Sequence, residues 1–391
     1  MSLVILKAGR EKLALNRHPW VFSGAVAQVV GNPQPGEVVE VQTADRKFIA
    51  WGQYNPASKI RLRLMEWREA VPVDESWYEQ RWEEAQALRA PWRGSTQALR
   101  LVFAEADGLP GLIVDQTGDW LVVQFLTAGA ERQKAFWTAL LVRKLPSLKG
   151  IVEKSDGDGR RMEGLEDTYG ILWGEAPPQR IRLQEAGAWF DVEWGAQKTG
   201  FYSDQRDNRL AVAQVAAGKR MLDAFCYTGG FAVHALRAGA SSAVLLDASQ
   251  EALAMAQHNV ELNGFSVERC VEGDAFTTLR TLKKDHEKFG LVVLDPPKLA
   301  PTRESLPRAL RGYKDLNLQA LALVEEGGWL ASFSCSGAVD PATFEEVIAY
   351  AAKDAGRTVQ IVRHLWQAPC HPVRTSMPEA AYLKGILARV L

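Results

Sequence analysis

The stretch Arg220-Met-Leu-Asp-Ala-Phe-Cys-Tyr-Thr-Gly-Gly-Phe231 decides how the rest of the chain is read. Apolar Met221 and Leu222 lead into Asp223, and Thr228, Gly229 and Gly230 form a small-residue turn. Phe231, Val233, Ala235 and Leu236 then fall at helical spacing, and a second apolar run over residues 243–246 stops at Asp247. Strand, glycine turn, helix, strand and terminal acid make one half of a nucleotide-binding βαβ unit. Glycines let a ligand approach the backbone, and an acid about 20 residues on is placed for ribose hydroxyls. The same letters also fit an ordinary strand-to-helix turn, and the residues after Asp247 decide between the two.

Beyond Asp247 the pattern repeats. Ser249 is placed to cap a helix through Leu253, Ala256 and Val260 that Asn263-Gly264 ends. Gly273-Asp274-Ala275 comes after the next short strand, which places Asp274 for an adenine amino group. Residues 291–294 form a strand that delivers Asp295-Pro-Pro-Lys298, whose prolines stop the strand and leave Asp295 facing the crevice where open α/β sheets bind ligands. Residues 329–334 form another strand, ending at Cys335. Asp223, Asp247, Asp274, Asp295 and Cys335 thus share one sheet edge, which packing does not require.

The chain has 391 residues, with 47% hydrophobic and 24% charged, so two or three domains with sizeable cores are expected. No apolar run of 18 residues and no signal-peptide pattern is present, and the four cysteines form no C-x-x-C pair. A cytoplasmic protein with no membrane segment, no disulfide framework and no metal site is the expectation. Residues 1–70 hold ten Lys/Arg and six Asp/Glu, whereas the whole chain carries a net −1. A basic appendage on a mildly acidic body points to a polyanionic partner.

That appendage reads as a small β module punctuated by Pro33, Pro35-Gly36 and Asn55-Pro56. Its last run, Lys59-Ile-Arg-Leu-Arg-Leu64, alternates at period two, so Lys59, Arg61 and Arg63 are expected to project outward, either as plain solvated surface or as an RNA-contacting face. A connecting helix comes next, with Tyr78, Trp82, Ala85 and Leu88 on its inner face. Residues 99–184 read as a second α/β piece with one helix near residues 131–145 and a mobile hairpin or loop at 154–161; Asp107 and Asp115 read as turn carboxylates. The polar segment Gln197-Lys-Thr-Gly-Phe-Tyr-Ser-Asp-Gln-Arg-Asp-Asn-Arg209 either wraps a ligand or supplies a helix cap from Ser203 or Asp204. Cys226 and Cys270 read as packing residues, and His234 and His258 as surface or partly buried.

The order of motifs resembles class I S-adenosylmethionine-dependent methyltransferases. Gln197–Arg209, the 225–231 turn, Asp295-Pro-Pro-Lys298, Arg311-Gly-Tyr-Lys-Asp315, Phe333-Ser-Cys-Ser-Gly337 and Tyr382-Leu-Lys-Gly385 look like the bacterial 23S ribosomal RNA cytosine-5 methyltransferases of the large-subunit I type. The resemblance covers essentially the whole chain. It departs at Ala368-Pro-Cys-His-Pro-Val373, where a carboxylate is missing, and at Leu299, where the family usually has Phe.

The resemblance implies an α/β protein with three parts: a PUA-like RNA-binding domain (1–70), a central α/β domain with its linking helix (71–184) and a Rossmann-like methyltransferase domain (185–391). It implies S-adenosylmethionine as cofactor, held by Tyr202, Gln205, Arg206, Asp223, Phe225, Tyr227, Thr228, Gly229, Asp247, Ala248, Asn263, Asp274, Ala275 and Asp295. Cys335 would add to carbon-6 of the base, Asp295 would hold its N3/N4 edge, and Pro296, Pro297 and Lys298 would line the base pocket. The partner implied is 23S ribosomal RNA. A homodimer is compatible with the sequence, and no residue pattern specifies it. The competing readings are a base-nitrogen methyltransferase, which needs no cysteine, and a ribosome-assembly factor without turnover.

Overall fold

The structure is a computed structural model and describes residues 2–194, 200–300, 302 and 304–391. Gln197, Lys198 and Thr199 of the polar segment lie outside the described residues. The described chain forms two units. One holds residues up to Ile181 with Pro369–Ala380, and the other holds Arg182–Glu193, Gly200–Ala368 and Ala381–Leu391.

The first unit contains two sheets. A six-stranded sheet runs in the order Trp20–Phe22, Ile60–Glu66, Phe48–Tyr54, Val38–Gln42, Leu3–Leu6 and Val26–Val30. Val4, Leu6, Val39, Val41, Leu62 and Leu64 fill its core. The period-two expectation holds for Leu62 and Leu64 but fails for the other face at Arg63. Its side chain is 12% exposed, pairing with Glu105 and, at 3.0 Å, with Glu163. Two carboxylates from the second sheet region surround a cation that the strand pattern alone assigns to solvent. Lys59 is exposed, whereas Arg61 is half-buried, its guanidinium reaching the Asn55 and Pro56 carbonyls.

The five-stranded sheet runs Thr168–Gly174, Gly150–Ser155, Trp120–Phe125, Leu112–Thr117, Ala98–Phe103. The connecting helix spans Glu75–Arg89, capped by Asp74, and buries Trp77, Tyr78, Trp82 and Ala85. Leu88 is instead exposed, and Arg89 is fully buried, 2.7 Å from Asp107. Asp107 and Asp115 are therefore ion-pair partners, Asp115 lying inside a strand 2.8 Å from Arg100. The single helix expected near 131–145 is two, Ala128–Arg132 and Lys134–Lys144, because Gln133 sits outside helical geometry (φ −95°, ψ 9°). Residues 154–161 are not a loop: the strand runs to Ser155 and a helix covers Asp158–Met162. Buried Arg160 fixes it, donating to the Phe125 and Glu166 carbonyls and to Glu131.

The second unit is built on a seven-stranded sheet: Arg269–Glu272, Ser242–Asp247, Arg220–Ala224, Phe289–Leu294, Val324–Ser334, Lys384–Val390 and Val359–Trp366. The first five are mutually parallel, and Lys384–Val390 is antiparallel to both neighbours. Strands covered on both faces read as continuous apolar runs, which is why Phe289–Leu294 is buried throughout. The chain steps outward from Arg220–Ala224, then returns to its other side at Phe289–Leu294. That reversal opens a crevice at the carboxyl ends of these two strands.

The second unit also holds a buried ion cluster. Glu185 accepts a two-pronged contact from Arg209 (2.8 and 2.9 Å) and lies 3.2 Å from His234 Nε2. His234 is thus buried, and His258 is half-buried against Asp191 at 2.8 Å. Burial pushes the Glu185 carboxyl up, but the Arg209 charge and the bonds from His234 and Arg209 hold it at about 2. A folded-state value below the ordinary 4.5 means that this stabilisation is complete above pH ~4.5 and is lost as pH falls toward 2. Glu185→Gln should therefore lower stability by about 3–5 kcal/mol at pH 7, because Arg209 keeps a buried, uncompensated charge. Urea titrations across pH should show the wild-type advantage shrinking below pH ~4.5; a pH-independent difference would refute the assignment.

Candidate active site

The carboxyl ends of Arg220–Ala224 and Ser242–Asp247 meet in the 225–229 turn. Phe225 (φ 61°), Tyr227 (φ 48°) and Gly229 (φ 77°) all lie in the left-handed region. Only Gly229 does so without steric cost, and a side chain there would also crowd the Ala256 backbone at 3.1 Å. The strained turn is tied down: the Tyr227 amide donates to Asp247 Oδ2 at 2.9 Å, Cys226 N donates to Leu246 O, and Asn259 donates to Thr228 O. Asp247 also accepts from the Ser249 amide at 3.0 Å, and Ser249 caps the next helix as its sequence predicts.

Asp223 is completely buried at the end of its strand. Its Oδ2 accepts from the Ala232 amide at 3.0 Å, and its Oδ1 has no partner among the described residues. Burial, reinforced by the charges of Asp295 and Asp247, pushes its carboxyl up to about 8. The Tyr227 hydroxyl is likewise buried without a partner among the described residues, and burial pushes it up to about 12. The Tyr202 ring meets the Tyr227 ring edge-on at 5.2 Å. Orphaned oxygens among three carboxyls suit a ligand that brings positive charge and hydroxyl donors.

The other half of the crevice carries the remaining candidates. Asp295 Oδ1 accepts from Gln205 Nε2 at 3.0 Å, and Gln205 Oε1 accepts from Asn208 Nδ2 at 2.6 Å. Cys335, half-buried, places Sγ 3.9 Å from the Pro296 carbonyl oxygen. Pro297 and Lys298 are exposed, while Leu299 packs against the core around Tyr313 and Phe344. Neither Ser203 nor Asp204 caps the Arg206–Ala213 helix; Asp204 is buried and accepts from the Tyr382 hydroxyl. Arg206 is buried beside Asp207 at 2.7 Å.

One candidate falls elsewhere. Asn263 stands at the far end of the Gln250–Leu262 helix, about 20 Å along its axis from Asp247. Its side chain holds the Trp189 amide and carbonyl at 2.9 and 2.7 Å, so it pins a strand. Asp274 stays on the crevice edge next to Asp247, whose carbonyl accepts from the Gly273 amide at 3.0 Å; it is exposed and caps the Ala275–Lys284 helix through the Thr277 amide at 3.0 Å. Ala248 is exposed after Asp247, and Ala275 is buried at the helix start. Cys270 is exposed rather than packed, whereas Cys226 is buried. Asn208, Tyr313, Ser334, Ser336 and Lys384 lie within the quoted motifs but received no role from the sequence, because their relation to the crevice depends on pairings between distant segments.

Sheet order, turn and carboxyl cluster define a Rossmann-like S-adenosylmethionine-dependent methyltransferase. The S-adenosylmethionine-dependent methyltransferase family matches residues 115–389, and the PUA-like domain family matches residues 4–67. Over 99% of both chains, the protein is 43% identical to Ribosomal RNA large subunit methyltransferase I of Erwinia tasmaniensis and 44% identical to that of Escherichia coli O157:H7. The chain belongs to this ribosomal RNA large subunit methyltransferase I family. Among solved structures, SMU.776 complexed with SAH (TM-score 0.85, 20% identity) and a Streptococcus mutans protein described as a SAM-dependent methyltransferase (0.83, 19%) share the fold over 100% of both chains. Among the described residues no helix is long and apolar enough to cross a membrane.

The cofactor is S-adenosylmethionine, and the acidic crevice fits its sulfonium, ammonium and ribose hydroxyls. Asp247→Ala should raise its dissociation constant about 10- to 100-fold, since a charged acceptor and the anchor of the Tyr227 turn are lost together. Titration calorimetry measures this; unchanged affinity would refute the placement.

Proposed function

We propose that the protein methylates carbon-5 of a cytosine in 23S ribosomal RNA, with Cys335 as nucleophile. The observation that carries the reading is the convergence of Cys335 and Asp295-Pro296 at the ends of adjacent parallel strands. The relatives' names supply the substrate class.

Carbon-5 of cytosine is a poor nucleophile until a thiolate adds at carbon-6. Cys335 Sγ forms that bond, and the resulting enamine can accept a methyl group. Asp223, Asp247, Tyr227 and the 225–229 backbone would hold S-adenosylmethionine, which would supply its sulfonium methyl group and leave as S-adenosylhomocysteine. Asp295 holds the N3/N4 edge, with Gln205 fixing its carboxylate from the other side. A base then takes the carbon-5 proton, the freed electron pair re-forms the carbon-5–carbon-6 double bond, and Sγ leaves carbon-6 as a thiolate. A base in structured RNA must leave its stack to reach this crevice. The β-rich module at residues 1–70 adds phosphate contacts, with exposed Lys59 available and Arg63 already enclosed by carboxylates. Exocyclic-nitrogen methylation needs no thiol, so the position of Cys335 favours carbon-5.

The test is transfer of labelled methyl to unmodified 23S ribosomal RNA with product-base mapping. Wild type should yield 5-methylcytosine. Cys335→Ala should lose at least about 1,000-fold in turnover, with cofactor affinity unchanged. Transfer that survives the substitution would remove the thiolate mechanism.

A further inference from the structure

Cys335 lies between two serines that are fully buried, while it is itself half-buried. Ser334 Oγ and Ser336 Oγ each lie 2.9 Å from the Tyr313 hydroxyl, and Ser336 Oγ also accepts from the Ala300 amide at 3.0 Å. Serines two apart facing one side leave the residue between them to face the other. The thiol-bearing turn is then closed from the neighbouring strand. Lys384, whose Cα pairs with Ser334 in the antiparallel ladder, is 4% exposed. Its Nζ donates to the Ser336 carbonyl at 2.6 Å and to the Val339 carbonyl at 2.8 Å. A lysine buried to this extent is rare unless its ammonium has a task.

We propose that Lys384 is the positioning residue for Cys335, clamping the turn that carries the thiol and setting a buried ammonium beside it that favours the thiolate at neutral pH. This rests on the reading of Cys335 as nucleophile. The other charged or titratable groups around the pair are Asp295, Asp340, Lys298, Tyr202 and Tyr313. Asp295 disfavours a thiolate, and Lys384 is the buried cation that opposes it. Burial lowers the Lys384 ammonium to about 8, with Cys335 and Asp340 acting against the shift, so the cation persists at pH 7.

The experiment is the pH dependence of iodoacetamide alkylation at Cys335 in a Cys270→Ser background, which removes the exposed thiol. Wild type should titrate below the ordinary cysteine value of ~8.5. Lys384→Met should raise that midpoint by about one pH unit, a roughly tenfold slower reaction at pH 7. Lys384→Arg, which retains the charge, should keep the wild-type profile. A Lys384→Met profile that superimposes on wild type overturns the proposal, as does a Lys384→Arg profile that tracks Lys384→Met. If Lys384→Met does not fold, a wild-type midpoint at or above ~8.5 still overturns it. Alkylation needs no RNA, so a failure of cytosine methylation would be distinguishable from a failure of this role.

Discussion

The catalytic unit depends on a turn held against its own conformational preference. Phe225 and Tyr227 are bulky residues in left-handed geometry, each costing on the order of 1–3 kcal/mol. Such strain persists only where the surroundings over-determine it. Here Asp247 receives the Tyr227 amide, Asn259 donates to the Thr228 carbonyl, and Gly229 lets the turn approach the Ala256 backbone. The same carboxylate that suits ribose hydroxyls therefore also holds the backbone that lines the crevice.

A second theme is the division of charge by depth. The crevice gathers Asp223, Asp247 and Asp295, and burial drives Asp223 toward its protonated form. Glu185, equally buried, remains ionised because Arg209 and His234 pair with it. Depth alone does not decide ionisation; the presence of a partner does. Lys384 obeys the same rule, its ammonium resting on two carbonyl dipoles beside the proposed nucleophile.

The strand-turn-helix order around residues 220–247, the Asp295-Pro-Pro turn and the strand-end location of Cys335 were all legible in the chain, because apolar runs and turn residues are local signals. Arg63 was not: period two gives the face of a strand, but not whether carboxylates from another sheet cover it. Asn263 misled for a related reason, since a polar residue after a helix reads alike at either end of the sheet. Its position at the amino-end side comes from helix length and its bonds to Trp189. Lys384 lies in the Tyr-Leu-Lys-Gly motif that marks the family, but nothing local says that its ammonium is buried against the Ser336 and Val339 carbonyls.

By itself, the sequence determined the α/β class, the edge on which the functional groups gather and the family. The first two rest on periodicity and on residue types that turns and strand ends require, and the family on the resemblance of motifs spread in order along the chain. Tertiary structure alone decided which charges are enclosed, which backbone is strained and which distant side chain reaches the thiol turn. Those properties arise from pairings between segments far apart in the chain, such as Ser334 with Lys384 and Glu185 with Arg209, and their energies come from burial that no local pattern encodes.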